Sequence, residues 1–294
     1  MNQGEHPRLS YLDQSWLRHF ISKYEPKIIR KLQDIKDGVK KARQTQYALL
    51  YHDLLSLALV KYAAGEKLTK VRLYMREALQ TYLAVLRLRG SESSGRIDIP
   101  LLHEPRRPLD IGEALSREQF EPVDDSDYSL GNSRTSLQAM YFALSGGEFE
   151  ITGEIAKQVW DPVDAEYIGI GSEVCSPNDQ RLAYALRNCL QGDMQAARDE
   201  LTSIFDPIPP IEYQKRMLLA LVDNNGSAFL NALAELLDWH RQEATEDGNH
   251  KATECFICIP GLGLSAYGWW KGVISPASLP KNNMYLPIQL FTAA

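Results

Sequence analysis

SAFLNALAELLDWHRQEAT at 227–245, HKATECFICIPGLGLSAYGWWKG at 250–272 and NNMYLPIQLF at 282–291 decide the fold class. In the first, Phe229, Leu230, Leu233, Leu236, Leu237 and Trp239 recur at the spacing of an amphipathic helix, with Ser227 placed as its N-cap. The second carries no charge from Phe256 to Trp270, as a helix buried on all sides would. Tyr285, Leu286 and Pro287 in the third read as an extended plug. Together they predict the core of an all-α domain.

The same periodicity runs upstream. Leu12, Trp16, Leu17, Phe20, Ile21 and Tyr24 predict one helix, and Pro26 is placed to begin a second that carries Ile28, Ile29, Leu32 and Ile35. Tyr47–Ala64 and Leu68–Leu88 predict two apolar helices joined at Gly65 as an antiparallel hairpin. His52 lies in the first of these and reads as a packing histidine, because no second ligand recurs four residues on. Helices resume at Leu137–Leu144, Ile151–Trp160, Gln180–Gln191 (started by Asn178 or Asp179), Met194–Ile204 and Tyr213–Val222, the last after a break at Pro207, Pro209 and Pro210. The count is about ten helices, with no convincing β-alternation. Between them, 91–133 is rich in proline and acids and predicts a long irregular connector with at most one short helix near 111–120. The expected organisation is therefore an N-terminal helical region 1–90, an acidic connector 91–133 and a C-terminal helical region 134–294 packed with the first as one unit.

Composition sets the class. A hydrophobic fraction of 44% with 24% charged residues is that of a folded globular chain. The first residues are charged and lack an apolar core, so no secretory signal is expected, and no apolar run predicts a membrane span. Cys175, Cys189, Cys255 and Cys258 are too few for a disulfide framework in 294 residues, which favours the cytoplasm. Charge is uneven: residues 1–90 hold 17 Lys and Arg against 8 Asp and Glu, while 91–175 hold 6 against 17. The basic stripe from Lys27 to Arg43 is interrupted by Asp34 and Asp37, and reads as a solvated helix face rather than a nucleic-acid site.

Three chemical motifs fail on context. Gly261, Gly263 and Ala266 fit a dinucleotide-binding turn, but no acid follows Glu254, and glycines that let helices pack closely explain them better. Gly263, Ser265 and Tyr267 begin like a nucleophile elbow, yet Tyr267 stands where a second glycine is needed. Cys255 and Cys258 form a C-x-x-C without a second pair at zinc spacing or a thioredoxin-like context, and read as two buried thiols. His240, Glu243 and Glu246 read as the polar end of a helix. The expectation is a protein that is not an enzyme, with no catalytic, cofactor-binding or metal-binding residues. A cysteine or metal centre at Cys255 and Cys258 stays as the competing enzyme reading.

The helix ending in His240-Arg241, the uncharged helix leading to Gly272 and the closing Tyr285-Leu286-Pro287 with Leu290 resemble the C-terminal part of the immunity protein 49 family of bacterial polymorphic toxin systems. The helices of 40–90, with the turn from Tyr62 to Glu66, are similar to helical immunity proteins that neutralise PoNe-type nuclease effectors. The resemblance implies an all-helical, non-catalytic cytoplasmic protein that binds and occludes a cognate toxin domain, with no nucleic acid or membrane as partner. Tyr285, Leu286 and Pro287 would then dock the chain end. An acidic surface suits a basic, nucleic-acid-binding toxin, and Glu118, Glu121, Asp124, Asp125 and Asp127 are the expected toxin-binding residues. The alternative is a helical adaptor for an endogenous protein, which the repeat-like pair at 181–201 would fit.

Overall fold

Several helices end where the sequence supplies a residue that accepts a left-handed backbone. At Gly65 (φ 77) the amide bonds back to Tyr62 O (3.0 Å) while Glu66 N–H reaches Lys61 O (2.9 Å), closing the last turn. Asn224 (φ 53) plays the same part, with Asn225 N–H bonded to Ala220 O at 2.8 Å. A computed structural model describes residues 14–36, 44–89, 96–98, 108–110, 133–159, 176–246 and 253–292. Its contacts divide the chain into two compact units, Met1–Leu130 and Gly131–Ala294. With eleven α-helices among the described residues, the fold is all-α.

The first unit contains α1 (Gln14–Lys36), α2 (Gln44–Ala63) and α3 (Leu68–Arg89). Helix α2 lies between the other two, so Leu54, Leu55, Leu57, Ala58, Leu59 and Val60 are all buried, on every side of the helix. It forms the expected hairpin with α3, which turns Val71, Tyr74, Met75, Ala78, Leu79 and Tyr82 inward. Pro26 does not begin a second helix: it sits inside a continuous α1. A proline has no N–H to give the Ser22 carbonyl, at a cost of ~3 kcal/mol in a helix interior. Pro26 and Ser22 both face solvent, where water can take that carbonyl, while Leu17 and Ile28 on the other side are buried and hold the two halves in line.

The stretch 91–133 is not wholly irregular. β1 (Arg96–Asp98) and β2 (Pro108–Asp110) pair antiparallel with Ile97 opposite Leu109, and Pro108 is tolerated because a two-stranded ribbon consists only of edges. The helix expected near 111–120 lies outside the described residues.

The second unit contains α4 (Ser133–Ser145), α5 (Phe149–Lys157), α6 (Pro177–Gln191), α7 (Met194–Thr202), α8 (Pro209–Val222), α9 (Gly226–Thr245), α10 (Ile259–Trp270) and α11 (Gln289–Thr292), with short 3-10 turns at Thr253–Cys255 and Pro276–Ser278. Its centre is α10, every residue of which from Gly261 to Gly268 is buried, packed on α4, α8 and α9. Several starts differ from expectation by a turn or less. The N-cap of α9 is Asn225, whose side chain accepts from Ala228 N–H (3.0 Å), leaving Ser227 exposed in the first turn. Helix α6 is capped by Ser176 with Pro177 in its first turn, and α8 begins at Pro209. Prolines in a first turn give up amides that have no helical partner there, so Pro209 and Pro210 start the helix instead of delaying it. No described helix is long and apolar enough to cross a membrane.

Candidate functional site

The expected toxin-binding residues Glu118, Glu121, Asp124, Asp125 and Asp127 lie outside the described residues. Of those that carried the C-terminal resemblance, His240, Tyr285, Leu286, Pro287 and Leu290 are buried in packing, while Arg241 and Gly272 are exposed. The Tyr285 carbonyl accepts from Cys258 N–H (2.9 Å), and its ring meets His240 edge-on at 5.1 Å. His240 Nε2 in turn lies 3.1 Å from the Cys255 carbonyl, so helix α9, the turn before α10 and the closing segment are tied at one place. Beyond it, Leu286, Leu290 and Phe291 are buried, as a docked plug requires.

The near-motifs resolve the same way. Cys258 is fully buried and its thiol is pushed up to about 12 by burial; Cys189, also buried, is raised to about 12 for the same cause. Cys255 is half-buried rather than buried, and its carbonyl lies against His240 Nε2. Among the described residues no three His, Cys, Asp or Glu side chains group as metal ligands. Gly263 faces the backbone of Tyr141 in α4, where no phosphate could fit between. Ser265 is buried and donates to its own helix at Gly261 O (2.7 Å), and the Tyr267 hydroxyl donates to Cys189 O (2.8 Å).

In the first unit a buried ion cluster joins the three helices. Lys61 of α2 is 3% exposed, with its ammonium 3.1 Å from Glu25 Oε1 of α1 and 3.8 Å from Glu66 Oε2. It also stands 5.1 Å from the centre of the Tyr74 ring, whose hydroxyl donates to Glu25. Burial raises the Glu25 carboxyl, but the Tyr74 hydroxyl and Lys61 lower it by more, and the net is a carboxyl below its ordinary range. Lys61 is enclosed by the helices while Glu25 and Glu66 reach solvent in part, and the cluster ties α1 to the α2–α3 hairpin. His52, by contrast, lies on the surface with its ring 5.0 Å from that of Tyr51.

What the second unit presents to solvent is the turn between α7 and α8. Phe205 is 86% exposed and Ile208 61% exposed, the two largest departures from apolar burial among the described residues. Leaving such side chains in water forgoes roughly 1.5–3 kcal/mol each. The turn that holds them is fixed at several points. Ile204 beside them is buried; Asn178 Nδ2 donates to Phe205 O (3.0 Å) and Lys215 Nζ to Ile204 O (3.3 Å). Ile208 O accepts from both Ile211 and Glu212 N–H (3.0 Å each). Asp206 sits at φ 43, a region that side-chain-bearing residues visit at a cost, Asp and Asn least. Trp270 is also half exposed, but its ring stacks on Phe149 (5.2 Å, 17°) and carries Lys271 at 5.2 Å, so its contacts are supplied by its own unit. The sequence FDPIPP at 205–210 reads as a chain break, and its only early signal was two large apolar residues in a segment with no periodic reason to bury them.

No protein family, curated protein or solved structure matches this chain.

Proposed function

We propose that this chain is a binding protein of the immunity type, which attaches to a cognate toxin domain and blocks it. The observation that supports this reading best is the fixed turn that keeps Phe205 and Ile208 in solvent. A pair of apolar side chains carried on a hydrogen-bonded turn of a well-packed helical frame has the backbone part of its ordering cost met in advance, which favours affinity for a given contact area. The immunity assignment, and the cytoplasm as its place of action, come from the likeness of 227–291 to the immunity protein 49 family.

The test is direct. Cells carrying the toxin domain encoded beside this gene are expected to survive when this chain is co-expressed, and the two purified proteins are expected to form a one-to-one complex by calorimetry. Death despite co-expression, together with no heat of binding, would reject the reading and leave a helical adaptor for another protein as its successor.

A further inference from the structure

We infer that the turn from Phe205 to Ile208 is the anchor of the complex, and that it enters an apolar pocket bordered by cationic side chains on the partner protein. This rests on the immunity reading above and names the part of the partner that the turn would meet.

Pro207 fixes one backbone angle inside the turn, Pro209 and Pro210 fix two more where α8 begins, and the flanking carbonyls of Ile204, Phe205 and Ile208 are all held by hydrogen bonds. The backbone that carries the two side chains is thus set before any partner arrives. A projecting pair of this kind fits a concavity, not a flat surface, because Phe205 at 86% exposure has nothing of its own unit to shield its sides. Interface energy concentrates in a few such side chains that become fully desolvated.

Asp206 lies between the two apolar residues and is exposed, and the exposed Asp199 is one turn before the end of α7. No ion pair forms to either among the described residues. Asp179 and Glu212 add acid in the first turns of α6 and α8, where helix N-termini and, for Glu212, Lys215 at 3.9 Å offset part of their charge. Lys215 donates to the Ile204 carbonyl. The charge set between the two apolar residues is the exposed carboxylate of Asp206, and a pocket that receives the turn without leaving that charge buried and unmatched is expected to offer Lys or Arg at its edge.

The experiment is calorimetry and stopped-flow association of the full-length chain with the toxin domain encoded beside its gene, carried in catalytically inactive form. Three chains are compared: unsubstituted, Phe205→Ala with Ile208→Ala, and Asp199→Asn with Asp206→Asn. Asn is chosen at 206 because it tolerates a positive φ as well as Asp does. The apolar pair of substitutions is expected to weaken binding by about 100-fold or more with an unchanged melting temperature, since neither side chain is packed. The Asp pair is expected to slow association several-fold and to flatten its dependence on salt. Unchanged affinity in the apolar variant, with tight binding by the unsubstituted chain, would overturn the anchor while leaving immunity intact. No binding by the unsubstituted chain would overturn both. Loss of affinity in the apolar variant with no change in salt dependence in the Asp variant would overturn the cationic rim.

Discussion

A β-carbon placed on Gly263 would stand 2.6 Å from the carbonyl oxygen of Tyr141 and 2.9 Å from its Cα. These are backbone atoms of α4, and α10 rests on them, so the two helices touch main chain to main chain. Gly263→Ala must push the helices apart and is expected to lower stability by about 1–3 kcal/mol or more. Gly153, inside α5 with nothing within 4 Å of its β-carbon position, is the control. Gly153→Ala should be neutral or raise stability by up to ~1 kcal/mol through helix propensity. Urea midpoints of the two variants decide it, and equal midpoints would mean that α10 does not sit so close to α4.

Glu25 makes the first unit sensitive to acid. A carboxyl held below its ordinary range contributes stability that is complete above its unfolded pKa and is lost as pH falls through the folded one. Glu25→Gln removes that dependence. The gap in melting temperature between the unsubstituted chain and Glu25→Gln is expected to be widest near neutrality and to close below about pH 4. A gap that stays constant from pH 7 to 3 would show that the cluster does not shift the Glu25 carboxyl. Glu25→Ala should cost about 2–3 kcal/mol, below the ~3–5 of a wholly buried pair because Glu25 is 21% exposed.

Thiol labelling should discriminate the cysteines. With Cys175 replaced by Ser, the half-buried Cys255 is expected to react with a disulfide reagent at pH 8 in the native protein. Cys189 and Cys258, both buried and raised to about 12, should wait for unfolding. Rapid labelling of Cys258 without loss of helicity would contradict the docking of Tyr285 over it.

Phe291 is fully buried in the four-residue helix α11. Phe291→Ala is expected to destabilise the second unit by about 3–5 kcal/mol, the range for a buried aromatic ring. Tyr285→Ala should cost less, because the bond to Cys258 N–H comes from its main chain and survives. Chemical denaturation read through tryptophan fluorescence ranks the two, and the reverse order would place the plug's grip at the Tyr285 ring.

Hydrophobic periodicity made the helices and the central place of α10 legible, since an uncharged helix from Ile259 to Trp270 has nowhere to go but inside. Helix starts were harder to place. Pro26 reads as a boundary because its missing N–H is a local fact, whereas the burial of Leu17 and Ile28 that carries α1 through it is a tertiary one. Ser227 and Asn225 can both cap, and only the backbone of the Asn224 turn selects between them. The ribbon of Arg96–Asp98 and Pro108–Asp110 is too short for alternation to register. The acidic cluster at 118–127 stood out because charge is countable along a sequence. Phe205 and Ile208 did not, because exposure is the outcome of how α6, α7 and α8 close around Ile204.

The knot formed by His240, Cys255, Cys258 and Tyr285 also bears on how this protein is made. The Tyr285 carbonyl that accepts from Cys258 N–H belongs to a segment synthesised after α10. The amide that opens α10 therefore has no acceptor until 282–291 has joined the fold, and the second unit closes late in its own synthesis, whatever the earlier helices have reached by then. A chain cut short before Tyr285 should leave α10 frayed at its start while α6 and α7 keep their helicity.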